Sequence, residues 1–275
     1  MSRDPAVAGQ FYPGTKAGLR KEIEKYIING AGKIKAIGVV SPHAGYMYSG
    51  SVAGATLSSV ELAGTCVVMG PNHTGRGRPF SIMTEWAWKM PSGDCEIDSV
   101  LAKAILSNCG DLEEDDVAQR EEHSIEVQVP FLQALKEGVR IVPIVLADAE
   151  VEVYKAIGKG IAKSVKDEGR GATIIASSDL THYEPHDSAK QKDGKAIEAI
   201  LALDEEALVD AIRKYKISMC GYAPCLRYAC GLKGIGREEG QTDQIPDQRG
   251  CHRGLRRRRG LRRDNRLLII EERLK

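Results

Sequence analysis

Four short and almost wholly apolar runs, at residues 36–40, 66–69, 141–146 and 173–176, alternate with segments of helical periodicity, and this pattern admits few folds. A run with no polar face must be covered on both sides if it is a strand. Strands of that kind, each followed by a helix, pack as a largely parallel sheet with helices on both faces. The intervening segments fit that scheme. Leu19, Ile23, Tyr26 and Ile27 recur at helical spacing over residues 16–28, with Asn29-Gly30 as a stop. Further helices are expected at 49–59, 100–106, 124–135 (interrupted near Pro130), 150–165 and 197–212. No linker, repeat or low-complexity stretch precedes residue 224, so a single α/β domain is expected.

Three of the four strands run into a polar turn carrying a histidine: VVSPHAG, VVMGPNHTG and IIASSDLTH. Ligands of parallel α/β sheets bind outside the carboxyl ends of the strands. His43, His73 and His182 are therefore expected on one rim. Pro42 and Pro71 stiffen their turns, and His123, in QREEHSIEVQVP, is a fourth candidate at a helix start after a charged surface turn. A strand-end histidine standing alone is commonly a hydrogen-bonding residue. Three on one rim point instead to a shared ligand, because neutral imidazole is the commonest metal ligand. His186 reads as solvated. Cys220, in SMCGY, is either a small buried hydrophobe or a thiolate ligand beside imidazoles, a combination that suits copper, iron or zinc better than calcium or magnesium. Asp179 would then orient a histidine or ligate directly.

The formal net charge of +1 supplies no global field that selects nucleic acid, membrane or acidic substrates. The N-terminus lacks an apolar signal region, and no stretch reaches the length of a membrane span. The seven cysteines are odd in number, irregularly spaced and without a CxxC pair, so they read as reduced thiols of a cytoplasmic protein. Trp86 and Trp88 read as an exposed aromatic patch or a pocket wall, with core packing as the simpler account.

SPHAGYMYSG (41–50), GPNH (70–73), EHSIEVQVPFL (122–132), SSDLTHY (177–183) and MCGYAP (219–224), with the opening PAVAGQFYPG (5–14), closely resemble the Memo family. The resemblance implies a three-layer α/β/α fold with a mainly parallel central sheet, similar to class III extradiol dioxygenases. It also implies that His43, His73 and Cys220 form a metal-site triad for copper or iron, Cys220 replacing the carboxylate of the dioxygenases. His123, Asp179 and His182 match the remaining polar lining and are the candidate catalytic residues. Two uses of the pocket stay open: redox or dioxygenase-like chemistry on an unidentified small molecule, and capture of a peptide, such as a phosphopeptide, without turnover. Prokaryotic members are associated with radical-SAM and AMMECR-type proteins.

The resemblance is expected to cover residues 1–224 and to stop at Pro224. The segment 225–275, which includes LRRRRGLRR (255–263), then reads as a departure from the family rather than a second domain. Suitable codons for IPDQRGCHRG (245–254), read one base later, give YQTSGDVTG, which resembles a family strand. A frameshift is therefore suspected, and the basic run is not taken as a nucleic-acid site. With such a tail, the strands that close the sheet are expected to be missing and residues beyond about 225 to pack poorly.

Overall fold

The structure, a computed structural model, describes residues 2–30 and 33–225 and the backbone of 268–271. β1 (Ser2–Arg3) continues through a long strap into α1 (Lys16–Glu24), β2 (Ala36–Ser41), α2 (Tyr46–Ser58) and β3 (Thr65–Pro71). Three short strands follow, β4 (Phe80–Ile82), β5 (Ala87–Trp88) and β6 (Cys95–Glu96), then α3 (Ser99–Asn108) and β7 (Glu113–Glu114). The short helices α4 (Val117–Arg120), α5 (His123–Glu126) and α6 (Val129–Leu135) lead into β8 (Arg140–Leu146) and α7 (Val151–Glu168). β9 (Thr173–Ser177), α8 (His186–Leu201), α9 (Glu205–Tyr215) and β10 (Leu268–Glu271) complete the order.

The four apolar runs form the centre of a sheet of order β10-β2-β9-β3-β8-β4-β7. β2, β9, β3 and β8 are mutually parallel, whereas β10 and β4 join antiparallel at either side. Helices flank this mostly parallel sheet. Val39, Val67, Val68, Ile141, Ile144 and Ile175 are fully buried, as runs without a polar face require. Parallel register brings Ser41 beside Ser177 and Pro71 beside Leu146. The turns that follow β2, β9, β3 and β8 therefore leave one edge of the sheet. No helix among the described residues is long and apolar enough to cross a membrane.

Several elements differ from expectation for local reasons. The helix expected over 197–212 is two. Leu203 sits at φ 53°, and the Asp204 side chain accepts the Ala207 N–H, capping α9. The apolar spacing runs across the break because Ile197, Ile200 and Leu208 are all buried. The segment 124–135 divides at Val127-Gln128, and Pro130 lies in the first turn of α6, where its missing N–H costs nothing. Glu122, in the charged stretch read as a surface turn, is fully buried, as is Glu126 in α5. Trp88 belongs to the core, and Trp86 is partly exposed. At the C-terminus, Leu268–Glu271 pairs antiparallel with β2, so a closing strand is present where none was expected. Residues 226–267 and 272–275, with the arginine run and His252, lie outside the described residues.

Helix packing sets opposite outcomes for two glycines. A Cβ on Gly160 of α7 would lie 2.3 Å from Cys109 Sγ and 2.5 Å from the Asn108 carbonyl oxygen. Gly194 of α8 has nothing within 4 Å. Gly160→Ala should destabilise the protein by about 1–3 kcal/mol through overpacking. Gly194→Ala should stabilise it by up to about 1 kcal/mol through helix propensity. Denaturant titration of the two variants checks the signs.

Candidate metal centre

β2 ends in Ser41-Pro42-His43, and the loop after β9 delivers Asp179 alongside it. Asp179 Oδ1 accepts the backbone N–H groups of His43 (3.0 Å) and Ala44 (3.3 Å), fixing the path of the His43 loop. His73 follows β3, and its ring meets that of His43 edge-on at 5.1 Å between centroids. Cys220 lies on the turn after α9 and brings Sγ to 3.0 Å from His43 Nε2. One donor atom from each of His43, His73 and Cys220 lies within 4.8 Å of the other two.

The hydrogen-bond network places a proton on Nδ1 of three imidazoles. Ser177 has one hydroxyl proton, which it donates to the Ser124 carbonyl at 2.6 Å, and its oxygen accepts the Gln128 amide at 2.9 Å. Toward His43 Nδ1, at 3.0 Å, it can only accept. His43 therefore carries its proton on Nδ1 and presents a lone pair at Nε2, facing Cys220. Glu122 does the same for His73, accepting Nδ1–H at 2.9 Å and the backbone N–H at 2.7 Å. For His182 the acceptor is the Ser218 carbonyl, 2.7 Å from Nδ1. His182 Nε2 faces Asp179 Oδ2 at 3.9 Å. Asp179, His182 and Cys220 form a second convergent donor set that overlaps the first through the thiol.

His123 flanks the site. Its ring stacks on His73 at 4.5 Å and packs against Phe11 at 4.9 Å. His73, Glu122 and His123 also converge. The carboxylate there is already engaged by His73 and by the Ser124 N–H at 2.8 Å, so this trio is a hydrogen-bonded wall rather than an ion cage.

Burial governs the charge states. It lowers the His43 pKa to about 4, against the pull of Asp179, and lowers that of His123 as well. Burial opposes the charge on Glu122, but its hydrogen bond and electrostatic interaction with His73, with the Ser124 and His73 N–H groups, hold the carboxyl at about 2. The Cys220 thiol is pushed up to about 12 by burial and then by Asp179. At neutral pH the cluster offers a neutral His43 imidazole beside a protonated thiol. Two imidazoles and a sulfur at this spacing fit a tetrahedral or trigonal site for copper, iron or zinc.

The expected residues thus meet: His43, His73 and Cys220 as one set, Asp179 and His182 beside the thiol, His123 along the wall. Asp179 orients His43 through the main chain rather than through an imidazole proton. His186 lies exposed at the start of α8, paired with its neighbour Asp187 at 3.2 Å. Glu122, Ser177 and Gln128 went unrecognised in the sequence. A ligating histidine ordinarily donates its second N–H to a carboxylate or carbonyl, which directs attention to acids near the histidines. Glu121 and Glu122 are adjacent, however, and only the fold buries the second.

Comparison with known proteins extends over all these residues. The family model described as Memo-like protein matches residues 3–244. The match runs past Pro224, where the resemblance was expected to end, and stops before the arginine run. A MEMO1 family protein of Methanopyrus kandleri is 42% identical over 88% of this chain and 90% of its own length. One from Pyrobaculum aerophilum is 44% identical (85% and 88%), and one from Methanothermobacter thermautotrophicus 42% identical (87% and 91%). The family match spans every residue that builds the site, and the relatives align along nearly their whole lengths: this chain belongs to the Memo-like protein family.

Proposed function

We propose that this protein binds a redox-active metal ion, copper or iron, through His43 Nε2, His73 Nε2 and Cys220 Sγ, and uses it in redox or dioxygenase-like chemistry on a small molecule. One observation carries the reading. Both Nδ1 atoms are tied down, by Ser177 and by Glu122; His43 Nε2 faces the thiol at 3.0 Å, and one nitrogen of His73 lies within 4.8 Å of both. Such tethering is the usual support of a metal-ligating histidine. A thiolate with two imidazoles favours softer, more reduced metal states than the carboxylate set of ordinary iron dioxygenases. When bound, the metal would supply electron transfer or polarisation of a substrate oxygen.

The chain's own residues would do the rest. Asp179 holds the His43 loop in position, and Glu122 and Ser177 keep the ligating nitrogens unprotonated. His123 and His182, at the rim of the cluster, would accept protons from a bound substrate. Cys220 must lose its proton to ligate.

Elemental analysis of anaerobically purified protein tests the reading. Stoichiometric copper or iron is expected in the wild type and in neither His43→Ala nor Cys220→Ala. Metal-free wild type under those conditions would instead favour ligand or peptide capture without turnover. Glu122→Gln should retain the fold and weaken metal binding about 10- to 100-fold. Because the Cys220 thiol stays protonated up to about pH 12, each ion bound should release one proton. Apparent affinity should therefore rise about tenfold per pH unit between roughly pH 7 and 9, as measured by chelator competition. A flat profile would remove the thiol from the ligand set.

A further inference from the structure

We infer that the N-terminal strap, residues 3–12, is a working part of this site and that Arg3 is a positioning residue for His73; the inference rests on the metal-binding reading above. Arg3 is 4% exposed although it lies almost at the start of the chain. Its guanidinium lies over the Trp88 ring, 4.0 Å from the centroid. From there it donates in three directions: Nε to the Gln119 carbonyl at 2.7 Å, Nη2 to the Glu122 carbonyl at 2.8 Å, and Nη1 to Glu126 Oε2 at 2.6 Å. Glu122 caps α5 and Glu126 is its last residue. A single side chain therefore holds both ends of the one-turn helix whose cap supplies the carboxylate to His73.

Glu126 completes the clasp. Its buried carboxylate also accepts the N–H groups of Ala6 (2.7 Å) and Val7 (3.0 Å) and the Tyr12 hydroxyl (2.6 Å), so the strap is fastened along its length. The strap's far end reaches the other histidine loop. Phe11 packs on His123, and its carbonyl accepts the Tyr46 N–H at 2.8 Å, where α2 begins just beyond His43. A buried ion pair is a poor way merely to fasten a strap, since apolar side chains of similar volume often stabilise as well or better. What a planar guanidinium adds is direction. Here the direction is given to Glu122, whose carboxylate determines which His73 nitrogen keeps a lone pair.

Arg3→Lys retains the charge but cannot donate along the same three lines. Tyr12→Phe keeps the ring and removes one donor to Glu126. The first readout is the ¹⁵N spectrum of the histidine rings in metal-free protein at neutral pH. We expect wild-type His73 as the Nδ1–H form, and mixed tautomers in Arg3→Lys as Glu122 loses its alignment. His43, held by Ser177, should be unchanged. The second readout is copper(I) affinity by competition with a chromophoric chelator, expected to fall roughly tenfold in Arg3→Lys and by a smaller factor in Tyr12→Phe. A purely structural anchor would lower the melting temperature of both variants and leave the His73 tautomer and copper affinity as in wild type; that result overturns the inference. If Arg3→Lys does not fold, Tyr12→Phe decides alone: a shifted His73 signal supports the positioning role and an unshifted one ends it. Should the wild type fail to bind copper or iron, the metal reading falls, while the tautomer of His73 still reports on Arg3.

Discussion

Parallel pairing of β2, β9 and β3 is the constraint on which the rest of this molecule hangs. It sends the chain out of the sheet at one edge three times, after Ser41, Ser177 and Pro71. Residues far apart in sequence then bring their donor atoms within 4.8 Å of one another. His43 and Asp179 are neighbours because β2 and β9 pair. His73 faces them because β3 lies on the other side of β9. Cys220 arrives from outside the sheet, on a turn packed closely enough that a Cβ on Gly221 would lie 2.3 Å from the Ser178 side chain.

Within that frame, the chemistry is decided by who owns each proton. A neutral histidine in water exchanges its proton between two nitrogens, and only one of the two tautomers presents a lone pair at a given nitrogen. Here Ser177, Glu122 and the Ser218 carbonyl each claim the Nδ1 proton of one ring. Ser177 can do so because its own proton and its second lone pair are already committed to Ser124 and Gln128. Burial then removes the competing charged state by lowering the His43 pKa. The thiol is the one donor left with its proton on, and burial holds it there. The site is thus prepared at its nitrogens and gated at its sulfur.

Much of this was legible beforehand. The four buried strands were recognisable because a run such as TIIA or CVVM has no face that water could cover, and their observed bounds extend the expected ones by a residue or two. The histidine-bearing turns were legible because Pro, Gly and His follow directly on those runs. Boundaries that depend on a single backbone conformation were not. The left-handed Leu203 splits a helix whose apolar spacing continues unbroken. The supporting acids escaped notice as well, since Glu122 ends a charged stretch that looks solvated and Glu126 reads as part of a helix start, yet both are fully buried.

By itself, then, the order of residues determined the central parallel strands, the rim on which the histidine turns gather and the candidate site residues. The sheet and the rim follow from local apolar patterning, which has the same meaning in any context, whereas the grouping of His43, His73 and Cys220 came from the resemblance of their motifs to the family. Only the tertiary structure decided which nitrogen each imidazole presents, which of two adjacent glutamates enters the core, and that an arginine at the third position takes part. Those outcomes depend on hydrogen bonds between segments separated by 36 residues, as for His182 with Ser218, to 134, as for His43 with Ser177, and nothing local in the chain encodes them.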